Sequence, residues 1–277
     1  MDWTGQILIW LARYVKTLNR PVYLVGDGTY ATYELMGKAK KFNVGLIVRM
    51  RMDARLFHFP TPPAPGQRGR KPKIGARILG MVKRLTDGRV KWTEGVFTEW
   101  YGKKNKKMLI TSGKAIWSRN KDQKVELHRV LIKDPQGKME PVLIACSDLT
   151  ASPVDIVRYF VRRWQVEVTF AELRRHLGVE TQRRWSDLAI ERSTPLLMKI
   201  KSVICLLALP LYEDDKIAIR TAAWYPKSHF TFSDIHAAVR QRIWAVSEFS
   251  TSCSRRKVNN LKAKIRYLEA LLTEAAA

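Results

Sequence analysis

Glu167 lies in the stretch "YFVRRWQVEVTFAELRRHLG", residues 159–178, with Arg158, Arg162, Arg163, Arg174 and Arg175 around it. The apolar spacing predicts one helix over 153–177. On a helical wheel Val157, Val161, Trp164, Val168 and Ala171 form a core stripe. The neighbouring stripe reads Phe160, Arg163, Glu167, Phe170, Arg174: aromatic, cation, carboxylate, aromatic, cation. A carboxylate on such a face suits a place where a divalent cation meets a phosphate backbone. The same spacing also fits an i,i+4 Arg163–Glu167 ion pair on a solvated face, worth about 0.2–0.5 kcal/mol. Periodicity leaves both readings open.

Metal-assisted phosphate chemistry needs more than one carboxylate. Mg²⁺ and Mn²⁺ prefer hard oxygen ligands, and two-ion sites hold their metals about 3.5–4 Å apart. The second candidate is Asp27, which closes the apolar run "VYLVGDGTY". Open α/β sheets place ligands at such strand ends. Asp27-Gly28 can equally be turn chemistry, or Asp27 the cap of a helix beginning near Thr29. Softer metals find no site in the sequence, which has no CxxC and no HExxH motif. Cys146, Cys205 and Cys253 are odd in number and far apart, which fits a reducing cytoplasm and not a zinc centre.

The elements that would carry these residues can be read from pattern. Residues 6–18 are helical, 22–30 hold a short buried strand, 32–43 are helical, and "VGLIVRMRM" is a second strand: an α/β opening. "FHFPTPPAPGQRGRKPKIGAR" is rich in Pro, Gly and base and reads as a loop or arm. Its Arg68, Arg70 and Lys71 are candidate contacts to a nucleic-acid backbone, as is "KKNKK" at 103–107; either could instead be a solvated loop. From 89 to 148 short β-like runs alternate with turns, "DPQG" among them. Trp100 and Trp117 fall there and read first as sheet core. The remainder is helical over 153–177, 187–210, 233–248 and 257–275. The run 194–212 is strongly apolar, but Lys199 and Lys201 interrupt it and Pro210 closes it, so it is expected as a core helix and not a membrane span.

Composition limits the partners. Apolar residues make up 46%, enough for a packed core, and 50 Lys and Arg against 25 Asp and Glu leave a net charge of +25. A folded chain so cationic is expected to meet a polyanion, with nucleic acid the first choice and an anionic membrane surface the second.

Together these residues resemble the DDE transposases of bacterial IS4-like insertion sequences, in the IS701-type branch. The family signature of Tyr, two residues, Arg, three residues, Glu, six residues and Lys falls here on Phe160, Arg163, Glu167 and Arg174. "RRWQVEVTFAELRRHLGVETQRRWSDLAIERSTP" resembles the wider stretch around it, "VYLVGDGTY" the strand of the second Asp, and "VGLIVRMRMDARL" the strand after it. Phe160 stands where the family has Tyr, losing a hydroxyl. Arg174 stands where it has Lys, keeping the charge.

The resemblance implies a fold and a chemistry. The fold would be α/β: a partial RNase H-like core with a β-rich insertion and a helical C-terminal part. Its divisions would be 1–54 and 151–212 for the core, 55–150 for the insertion and 213–277 for the tail. Asp27 and Glu167 would be catalytic and metal-binding, with Mg²⁺ or Mn²⁺ as cofactor. Phe160, Arg163 and Arg174 would bind DNA. Intact relatives cut the element ends and join them to target DNA. The family's first Asp strand has no counterpart ahead of the first helix, and Asp2 lies outside any apolar run. The expectation is therefore a C-terminal catalytic portion, truncated and inactive, or a non-catalytic regulator or inhibitor of transposition. It would be cytoplasmic, with DNA and another transposase subunit as partners and no membrane.

Overall fold

The structure is a computed structural model that describes residues 3–61, 72–119, 123–181, 183, 186–246 and 265–266. It divides into two compact units, Met1–Gln165 and Val166–Ala277.

The first unit opens with α1 (Trp3–Leu18), β1 (Tyr23–Gly26), a 3-10 turn (Gly28–Tyr30), α2 (Tyr33–Lys41) and β2 (Gly45–Met50). Next come β3 (Leu56–Phe57), α3 (Met81–Thr86), β4 (Thr93–Trp100), β5 (Lys103–Ser118), β6 (Lys124–Lys133), β7 (Val142–Cys146) and α4 (Pro153–Arg162). The fold class is α/β, consistent with a partial RNase H-like core.

All seven strands join one sheet in the order β1-β2-β7-β6-β5-β3, with β4 paired to β5. β1 and β2 are parallel, joined through α2; β2 and β7 are antiparallel. The segment expected as an insertion thus extends the same sheet that the opening residues begin.

Strand alternation explains the layering. Leu46, Val48 and Met50 point to one face with Leu127, Leu131, Leu143 and Ala145, and are covered by Leu8 of α1, Leu35, Met36 and Ala39 of α2 and Met81 of α3. Ile47, Val130, Ile132, Ile144 and Cys146 point to the other face, where Ile156, Val157, Phe160 and Val161 of α4 cover them. Trp100 is buried in this second layer, and Trp117 stacks on Tyr33 with ring centroids 3.8 Å apart, so both tryptophans serve as packing.

The second unit holds α5 (Gln165–Leu177, its first residue at the boundary), α6 (Asp187–Glu213) and α7 (Phe232–Val246). Ile204, Ala208, Leu211, Phe232 and Val239 form its core. Asp234 ties its non-helical connection together. Buried at 1% exposure, it accepts from Lys227 Nζ, from Arg220 Nε at 3.1 Å and from Thr231 N at 2.8 Å.

One expectation about the helices changes. α6 was expected as a core helix ending at Pro210. It runs on to Glu213, and Leu188, Leu196, Leu206, Leu209 and Tyr212 are exposed. By length and composition α6 could cross a membrane. The expected helix over 257–275 lies outside the described residues, save 265–266.

Candidate active site and nucleic-acid surface

Asp27 closes β1, as the apolar run predicts, on the end of the parallel β1–β2 pair. Its Oδ1 accepts from Gly28 N at 2.7 Å and caps the 3-10 turn. The next helix, α2, is capped by Thr32, whose Oγ1 accepts from Leu35 N. The capping role and the strand-end position are therefore both real: one carboxylate oxygen is committed to backbone, and the exposed residue presents the rest to solvent.

The single helix expected over 153–177 is two helices. α4 tightens at its end, where Arg163 N bonds Phe160 O at 3.2 Å and Trp164 N bonds Val161 O at 3.1 Å, and α5 begins at Gln165. Such three-residue bonds finish a helix and satisfy its last carbonyls. The continuous five-residue ladder is thereby divided. Glu167 sits in the first turn of α5, where the helix dipole favours a carboxylate.

The members of that ladder have different environments. Phe160 is 6% exposed and packs under α4 with Ile156 and Val157, so its expected DNA contact is corrected: the side chain is core. The reason is the shared layer with Ile47 and Ile144, which draws every apolar residue of α4 inward. Phe170 is 38% exposed and remains available on α5. Arg174 pairs with Glu180 at 2.9 Å, both partners well exposed. Arg163 and Glu167 are half-buried.

Of the other candidate contacts, Arg68, Arg70 and Lys71 lie outside the described residues. The run at 103–107 opens β5 and is no loop. Lys106 pairs with buried Asp134 at 3.0 Å, and Lys107 with Glu94 at 3.1 Å. The β4–β5 hairpin has thus drawn two of its cations into pairs within the fold.

No group of three or more His, Cys, Asp or Glu side chains that could hold a metal ion is found among the described residues. Mg²⁺ demands near-octahedral oxygen geometry. One exposed carboxylate at the end of β1, half of it bonded to Gly28, does not meet that demand. Asp27 belongs to the first unit and Glu167 to the second.

Sequence reading missed Asp148. It lies just past β7 and accepts from Tyr23 Oη at 2.8 Å, Thr150 N at 2.8 Å and Thr150 Oγ1 at 2.7 Å. Burial alone would raise its pKa, but these hydrogen bonds outweigh burial and hold the carboxyl below the usual range. Its bonds are all local or to β1, so it is a structural acid. Asp-x-Thr after a strand is the sequence signal that could have found it.

Residues 4–106, a little over a third of the chain, match a family model described as DDE superfamily endonuclease. The matched stretch contains Asp27 and the β1–α2–β2 unit, and supports a DDE-type nuclease relationship. No curated protein matches the chain.

Proposed function

We propose that this chain is a DNA-binding protein of DDE transposase descent, from a bacterial insertion sequence of the IS4-like, IS701-type branch. The observation that carries the reading is the DDE endonuclease match over 4–106, with Asp27 at the end of its strand. A net charge of +25 supports a polyanionic partner. In this reading Asp27 and Glu167 are the carboxylates that Mg²⁺ or Mn²⁺ would meet. Arg163 and Arg174 would take DNA phosphates, joined by the arm of Arg68, Arg70 and Lys71. The divisions at 54, 150 and 212 belong to the same reading, as does a second transposase subunit as partner.

The activity proposed is that of a transposase copy that binds DNA without cutting it; the second reading is a non-catalytic regulator or inhibitor of transposition. The test is a supercoiled-plasmid assay with purified chain and Mn²⁺, run beside Glu167→Gln. No nicking by either protein is expected, with duplex binding by both. Nicking that Glu167→Gln abolishes would restore the catalytic reading.

A further inference from the structure

Arg129, on β6, is 5% exposed, and its Nε and Nη1 are buried with no hydrogen-bond partner. It faces the layer of Leu127, Leu131 and Ala145, under the helices of that side. Its strand neighbour is Gly113, where an added Cβ would stand 3.2 Å from Arg129 Nη2; the missing side chain is what gives the guanidinium its room. The charged group felt there is another cation, Arg84 of α3, whose Nε is also buried and without a partner. No carboxylate pairs with either among the described residues.

A buried guanidinium beside a second one, with no acid, is costly unless an anion completes the arrangement. Arg84 also lines a surface cleft. The cleft, of about 510 Å³, is lined by Arg89, Lys91, Thr93, Thr111 and Ser112 among others. It opens where β5 has no outer neighbour: β4 pairing stops at Ile110 and β3 pairing begins at Ile116. Asp87, the one acid on its wall among the described residues, is engaged by Arg89, through Nε at 3.0 Å and Nη2 at 3.1 Å. Lys133 adds a further cation behind α3, 3.5 Å from Leu85 O.

We propose that Arg84, which lines this cleft, and Arg129, buried over Gly113, together hold a phosphate group, with Arg89 and Lys91 at the mouth of the cleft. The forked guanidinium geometry matches the oxygens of a phosphate group, and each fork can give two parallel charge-assisted bonds. The group could come from a DNA backbone or from free phosphate. The backbone assignment rests on the DNA-binding function proposed above; the site itself does not.

The experiment uses the full chain and two readouts. The first compares melting in inorganic phosphate with melting in chloride at equal ionic strength. Phosphate should raise the melting temperature by several degrees. Arg129→Met should melt at or above the wild-type temperature in chloride, because an unpaired buried charge is gone, and should lose the phosphate response. Arg84→Met, on the more open helix, gives the same test should Arg129→Met fail to fold. The second readout is duplex binding against salt. A slope reduced by about 0.9 in either variant assigns one DNA phosphate to the site. An unchanged slope with the phosphate response lost assigns the site to free phosphate. A phosphate response equal in wild type and both variants, or absent in wild type with unchanged slopes, overturns the site. A chain that binds no DNA at all would refute the proposed function and leave the melting readout to judge the site.

Discussion

Tyr23 Oη donates to Asp148 Oδ2 at 2.8 Å across 125 positions of sequence, fastening the start of β1 to the end of β7. Tyr23 also stacks on Tyr159 of α4, with ring centroids 5.0 Å apart. Burial, then the bond to Asp148, push the phenol pKa up, so the bond stays formed through the neutral range. Tyr23→Phe keeps the stacking and deletes the bond, and should cost about 1 kcal/mol in denaturant unfolding. Asp148→Asn should cost more than Tyr23→Phe, because the Thr150 bonds also lose their charge.

Acid should weaken the fold in two stages. Burial lowers the pKa of His128, and of His176 and His236 along with nearby arginines, Arg175 beside His176 and Arg240 beside His236. A histidine held neutral contributes stability above its unfolded value of about 6.5. That contribution is lost as pH falls through 6.5 toward the lower folded value. The carboxylates come second. Asp148 and Asp234 are held below the carboxylate range, so their contributions are complete above about pH 4 and lost as pH falls through their folded values. Melting temperature against pH should fall first between 7 and 5, then again below 4. A flat profile from 7 to 5 would contradict the histidine assignments.

Asp234 is the acid on which the second unit depends. Burial would raise its pKa, but Lys227, Thr231 and Arg220 overcome burial and lower it strongly. Asp234→Asn leaves Lys227 nearly buried and without its counter-charge. Loss of about 3 kcal/mol is expected, the low end of the range for a broken buried pair, since Arg220 is half exposed and can reach water. Limited proteolysis should then cut within 166–246 before the sheet of the first unit.

DNA affinity should depend on Arg163 and Arg174 through the salt slope. Each guanidinium that meets a phosphate contributes about 0.9 to the slope of log K against log salt. The double Ala variant should bind more weakly and with a flatter slope, read by fluorescence anisotropy. Arg174→Ala also frees Glu180, so Glu180→Gln is the matching control. An unchanged slope would return this stretch to an ordinary helix surface.

Cys146 should be inert. Burial pushes its thiol up to about 12, so almost no thiolate exists at pH 8. Cys205 is exposed on α6. Under native conditions a thiol reagent should modify Cys205 and leave Cys146 untouched until denaturant is added. Mass spectrometry of the labelled peptides decides it.

Much of the first unit was legible because its strands obey a period of two. Val48 and Ile47 go to opposite faces, as adjacent strand residues must, and the turn at "DPQG" falls between β6 and β7. The break at Arg163–Trp164 was not legible: neither Gly nor Pro marks it, and the wheel runs smoothly across it. The burial of Ile156, Val157, Phe160 and Val161 against the sheet sets α4 apart. Arg129 was hidden for a related reason. Within "VELHRVLIKD" a basic residue reads as facing solvent, but helices cover that face of the sheet. The apolar residues of α6 misled in the opposite sense, since composition says core and the described packing leaves most of them exposed. Asp27 was legible in position. Its partner set was not, because ligand geometry is a property of three dimensions and one strand end cannot specify it.

Leu46 N donates to Ser147 Oγ across 101 positions, and Ile47 pairs with Cys146 beside it. On a ribosome, β2 therefore emerges about a hundred residues ahead of the strand that closes its second edge. At roughly 5–20 residues per second the delay is on the order of 5–20 s. Throughout that interval the run "GLIVRM" has only β1 beside it and an open edge of hydrogen-bonding groups, the kind of surface that recruits other nascent chains. Slow translation between residues 50 and 142 would lengthen the exposure, and yield of folded chain should track holdase supply more closely than it tracks final stability.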